Sequence, residues 1–137
     1  MMRKTFALIT SLLGLLLAVS VAAGGCAPAR EVKLGADANG REIELKKGQV
    51  LVVSLEGNPT TGYTWEVQEP LDEQVLRQMG EAEFKAASDQ LGAPGVLTFR
   101  FQAMGTGRTT LQLIYHRPWE EKGAKPLKTF SVQVVVR

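Results

Sequence analysis

The sequence has 137 residues, 45% hydrophobic and 22% charged, with one cysteine and one histidine. That length fits a single domain, and a single cysteine excludes an intramolecular disulfide. The formal net charge of +2 and the sequence pI near 8.8 depend on Arg3 and Lys4 at the extreme N-terminus, so they make no case for a nucleic-acid partner.

Arg3 and Lys4 precede an apolar run from Phe6 to Ala23 that closes in the small residues "VAAGGC". This layout predicts a secretory signal peptide over residues 1–25, and the lack of basic residues directly after it favours cleavage over a lasting span. The end of the run resembles the lipobox of bacterial lipoproteins, although Ala23 stands where that motif usually has leucine. The resemblance implies lipidation of Cys26 and an exported cell-envelope lipoprotein, in the outer membrane or at the periplasmic face. Cleavage after Ala23 would instead give a periplasmic or secreted protein. Loss of residues 1–25 removes Arg3 and Lys4, leaving 112 residues with a formal charge of zero. Residues 26–39 carry few large apolar side chains and are predicted to be a tether. The folded domain is expected over residues 40–137, long enough to bury a core without disulfides.

Along that domain the hydrophobic period is two. "REIELKKG" alternates Ile43 and Leu45 with charged neighbours, and "QVLVVSLEG" is the nearly continuous apolar run of a central strand. "YTWEVQ" places Tyr63, Trp65 and Val67 on one face, which assigns the two aromatic rings to the core. "LDEQVLRQMGEAEFKAASDQ" reads either as a helical turn through Leu71, Val75 and Met79 or as two short edge strands around Gly80; the edge-strand reading is adopted. "GVLTFRFQA" turns Leu97, Phe99 and Phe101 inward, "GRTTLQLIYHRPW" aligns Leu111, Leu113 and Tyr115, and "KTFSVQVVVR" aligns Phe130, Val132, Val134 and Val136. Six or seven such strands, without a convincing long helix, predict an all-β antiparallel sandwich.

Strand parity then separates two ends. If successive strands alternate in direction, the connections "NPTTGY", "LGAPG" and "HRPWEEKGAKP" emerge together, and "KKGQ" and "AMGTGR" close the opposite end. The first three are the more specified in composition, which marks their end as a working surface. Catalytic groups are scarce. His116 is the only histidine, Cys26 sits at the processing site, and Ser54, Ser88 and Ser131 lie outside any Gly-x-Ser-x-Gly context. No His/Cys/carboxylate cluster has zinc-site spacing. The chain is therefore read as a non-enzyme without metal or cofactor. His116 is read as a polar strand-end residue, and Glu120 and Glu121 as solvated charges.

"NPTTGY" followed by Trp65, "GAPGVLTFRF", and "YHRPWE" before a final apolar strand resemble the chagasin family of cysteine-protease inhibitors, in order and spacing, from about Arg41 to Arg137. The resemblance implies an immunoglobulin-like sandwich and a reversible tight-binding inhibitor of papain-like cysteine peptidases, acting as a monomer. Three loops would form a wedge. Thr60 would enter the active-site cleft close to the catalytic cysteine, with Asn58, Pro59, Thr61, Gly62 and Tyr63 shaping that loop. Gly92, Ala93, Pro94 and Gly95 would flank one side; Arg117, Pro118 and Trp119 would flank the other, Trp119 as an aromatic anchor. Two departures from the family pattern are Pro94, where some members carry another glycine, and Tyr63 in place of phenylalanine. Apart from the resemblance, Trp119 has the option of folding back over the sandwich end, and Arg117 of forming a local salt bridge. The alternative function is a non-inhibitory envelope interaction or assembly lipoprotein.

Overall fold

Strands that alternate apolar and polar residues must bury one face, and two sheets packed face to face do so for every strand at once. In the computed structural model, which describes residues 30–121 and 123–137, nine strands form two such sheets. They are β1 (Glu31–Leu34), β2 (Glu42–Leu45), β3 (Val50–Gly57), β4 (Thr64–Val67), β5 (Leu76–Gln78), β6 (Glu83–Ala86), β7 (Gly95–Ala103), β8 (Gly107–His116) and β9 (Lys128–Val136). One sheet has the order β1-β3-β7-β5, with β6 also pairing β7; the other runs β2-β9-β8-β4. The segment around Gly80 forms two short strands, β5 and β6, on successive stretches of β7.

The core lies between the sheets. Leu51, Val53 and Leu55 of β3 and Phe99 and Phe101 of β7 meet Leu111, Leu113 and Tyr115 of β8 and Phe130, Val132 and Val134 of β9, all buried. Trp65 of β4 is buried at the edge of this set. No polar or charged residue is buried among the described residues, so burial of apolar area is the main stabilising term.

Two expectations need correction. The sheets are not wholly antiparallel: β1 lies parallel to β3, and β2 parallel to β9. Direction alternates along the chain once β5 and β6, which run the same way along β7, are counted as one interrupted strand. The parallel neighbours are not consecutive, so strands of like direction meet. The loops after β3, β6 and β8 consequently share one end, whereas the Lys46–Gln49 turn and the β7–β8 turn share the other. At that second end Gly48 N–H donates to Ala103 O at 2.8 Å and Lys47 N–H to Arg137 O at 3.2 Å.

The tether expectation for residues 26–39 also gives way. Residues 26–29, with Cys26, lie outside the described residues, as does the expected signal peptide. From Glu31, however, the chain is part of the sheet. Val32 and Leu34 pack on the core, Ala38 in the following short turn is buried, and Arg100 Nη1 is 3.0 Å from Glu31 Oε1. With only Val32 and Leu34 as large apolar residues, the four-residue segment "EVKL" is too short to show a period; pairing with β3 makes it a strand.

A chain beginning at Arg41 should therefore be less stable by about 2–4 kcal/mol, the value of uncovering two partly buried aliphatic side chains and Ala38. Urea denaturation reads this directly, and an unchanged midpoint would return residues 31–38 to the role of tether.

Candidate functional site

Between β3 and β4 the chain must reverse in six residues without a ladder to satisfy its backbone. Asn58 stays extended (φ −133°, ψ 99°) and caps a single 3-10 turn, Pro59–Thr61. Its Oδ1 accepts from Thr60 N–H at 3.1 Å and from Thr60 Oγ1–H at 2.6 Å, as an N-cap carboxamide should. Pro59 occupies the first turn position, where a missing N–H costs nothing. Thr61 N–H and its hydroxyl both donate to Asn58 O, at 3.2 and 2.6 Å, and Gly62 N–H donates to Pro59 O at 3.0 Å. Gly62 closes the turn at φ +82°, a conformation glycine takes without steric cost.

Asn58 also ties this loop to its surroundings. Its Nδ2 donates to Gly92 O at 3.1 Å, and its backbone N–H donates to the Tyr115 hydroxyl at 3.1 Å. The middle loop is braced separately, by Ala87 N–H to Pro94 O at 2.9 Å and Ala93 N–H to Gln90 O at 3.2 Å. Gly92 and Pro94 are exposed, Ala93 is half-buried, and the adjacent Leu91 is fully exposed. Gly95 departs from its expected place on the loop surface. It is the first residue of β7, paired with Ala86 and buried. A Cβ there would overlap the Lys85 carbonyl and the Phe84 ring, so its absence of side chain serves the contact with β6.

The third loop packs against the first. Arg117 Nε donates to Thr61 O at 3.3 Å, its guanidinium lies 4.4 Å from the centroid of Tyr63, and its Nη1 is 3.5 Å from Glu120 Oε1. Pro118 follows as an exposed residue. The six-membered ring of Trp119 lies against Gly62, where an added Cβ would overlap it. Trp119 nevertheless remains 69% exposed, so it rests on the loop without folding into the core. Arg117 combines the local ion pair with a bridge to the neighbouring loop. His116, at the end of β8, has Nε2 2.6 Å from Glu66 Oε2 on β4.

Under the loops lies an aromatic group. Tyr115 is buried, with its ring centroid 5.4 Å from Tyr63 and 5.1 Å from Trp65, and Trp65 Nε1–H donates to Glu56 O at 2.9 Å. Tyr63 is half-buried, sandwiched between Tyr115 and Arg117. Sequence reasoning placed Tyr115 inward but missed its hydroxyl as the support of Asn58. The available signal was an inward tyrosine at a strand end, because a buried phenol needs a polar partner. Gly62 as a seat for Trp119 was also missed; nothing local in "TTGY" marks that long-range contact.

Among the described residues no group of three or more His, Cys, Asp or Glu is placed to hold a metal ion, and no side chain pairs as nucleophile and base. The site offers a shaped, braced surface with Thr60, Leu91 and Trp119 outward. Gly62→Ala should displace Trp119 and shift its emission, with a stability loss of about 1–2 kcal/mol from the left-handed backbone and the overlap. Tyr115→Phe keeps the ring packing and removes the acceptor for Asn58 N–H; about 1–2 kcal/mol of stability should go with it. Unaltered Trp119 emission in the first variant, or unaltered stability in the second, would contradict these roles.

Residues 44–134 match the chagasin family peptidase inhibitor I42. The chain is 32% identical over 95 residues to Amoebiasin-2 of Entamoeba histolytica, covering 69% of this chain and 76% of that protein. It is 31% identical over 84 residues to Chagasin of Trypanosoma cruzi, covering 59% of this chain and 76% of that protein. The crystal structure of the cysteine protease inhibitor EhICP2 from Entamoeba histolytica superposes with a TM-score of 0.68 at 26% identity, covering 78% of this chain and 96% of that one. With most of the sandwich and all three loops inside the matched residues, this chain belongs to the chagasin family of peptidase inhibitors.

Proposed function

We propose that this protein is a reversible, tight-binding inhibitor of papain-like cysteine peptidases, whose three loops enter and flank the active-site cleft. The observation that carries the reading is the bonding of these loops to one another before any partner arrives. Thr60 is the exposed tip that approaches the catalytic thiol, with Gly92 to Pro94 on one side and Arg117 to Trp119 on the other. A surface already ordered loses little conformational freedom on docking, and that preserves affinity. Trp119 supplies the large rigid contact area typical of binding hot spots.

The same bonds explain how such a loop would occupy a peptidase without being cut. A scissile peptide lies extended with its carbonyl free for polarisation. Here the carbonyls of Asn58 and Pro59 accept hydrogen bonds within the turn, so attack would first require the turn to open. In keeping with the lipobox-like sequence at Cys26, the reading extends to an exported monomer held at the cell envelope by an N-terminal lipid.

Titration of papain of known active-site concentration should give stoichiometric loss of activity, with the inhibitor intact after prolonged incubation. Trp119→Ala should weaken inhibition by about 2 kcal/mol, roughly 30-fold, with nearly unchanged stability. Papain that stays fully active at micromolar inhibitor, or rapid cleavage between Asn58 and Tyr63, would overturn the mechanism.

A further inference from the structure

The position at which the chain enters the sandwich sets which way the loops face on an anchored molecule. β1 runs parallel to β3, with Glu31 beside Val50, and Val50 N–H donates to Arg30 O at 2.7 Å. The opposite terminus of β3, Gly57, leads directly into Asn58. Seven residue steps of extended strand separate the two, roughly 23 Å. The chain thus enters at the end closed by the Lys46–Gln49 turn, away from all three loops. The entry point is fixed, since Val32 and Leu34 pack on the core and Glu31 is paired with Arg100.

Arg30, Lys46 and Lys47 are exposed around this entry, and none belongs to an ion pair among the described residues. Arg137 and Arg108 at the same end are paired with Glu44 and Glu42. Asp72 and Glu73 sit before β5, at the other edge of the sheet from β1. Only Ala27, Pro28 and Ala29 separate Cys26 from Arg30, a reach of at most about 14 Å.

We propose that the Arg30/Lys46/Lys47 end faces an anionic lipid surface while the three-loop end points into the aqueous phase, so that the anchored protein captures soluble peptidases arriving from solution. This rests on the lipid-anchor reading above. A basic surface beside a single lipid attachment strengthens membrane residence, and the loops stay clear of headgroups that would compete for Trp119.

Both tryptophans, Trp65 and Trp119, belong to the loop end, and the chain has two in all, so intrinsic fluorescence reports that end alone. The processed full chain, extracted from membranes, is reconstituted on phosphatidylethanolamine–phosphatidylglycerol vesicles carrying nitroxide headgroups. The expected result is co-flotation with the vesicles, tryptophan emission equal to that on nitroxide-free vesicles, and full inhibition of added papain. A dye on Lys47→Cys is quenched in the same vesicles. Failure to float removes the anchor and the proposal together. Flotation with quenched tryptophan, an unquenched dye or suppressed inhibition leaves the anchor standing and overturns the orientation.

Discussion

An exposed loop that must keep one shape has to satisfy its own polar groups, because neither sheet nor core does it for them. In this protein that task falls chiefly on Asn58. Its side-chain oxygen holds the Thr60 amide and hydroxyl, its side-chain nitrogen reaches Gly92, its backbone N–H is received by Tyr115, and its carbonyl accepts from Thr61 twice. One residue thereby shapes the first loop, joins it to the second and fixes it to the sandwich. Aspartate would lack the donor toward Gly92, and serine would lack the reach.

The sandwich below is arranged to receive that constraint. Tyr115 closes the inward row of β8 and carries the chain, through His116, into Arg117. Its ring supports Tyr63, and Arg117 covers Tyr63 from the other side while bonding to Thr61. The first and third loops are thus joined through stacked groups, the Arg117 cation being attracted to the face of the Tyr63 ring. Trp119 then settles on the one position in the first loop that has no side chain. Burial of the strands supplies the folding free energy, and these contacts convert it into a rigid end.

Much of this was legible in the residues, for reasons that can be located. The period-two rows through Phe99 and Phe101, Leu111 to Tyr115, and Phe130 to Val136 identify their strands because each has a wet face and a dry face. Alternation of direction brought the three specified loops to one end. It survives the parallel pairs β1/β3 and β2/β9 because β5 and β6, which run the same way along β7, act as a single interrupted edge strand. β1 was hidden by its brevity: only the partner β3 shows that Val32 and Leu34 are sheet residues. The Gly62–Trp119 seat and the Tyr115–Asn58 bond join positions 57 residues apart, and no local pattern reports such contacts. Gly95 illustrates the opposite error. Its neighbours suggest a loop, while pairing with Ala86 makes it part of a strand.

The central claim is that the loop end is assembled before binding and enters the peptidase cleft as it stands. A crystal structure of the complex with papain tests this most directly. The account predicts Thr60 nearest the catalytic cysteine, an uncleaved Asn58–Tyr63 segment, and Asn58 still bonded to Thr60, Gly92 and Tyr115. A peptidase bound elsewhere on the sandwich, or a first loop opened into an extended strand across the cleft, would contradict it.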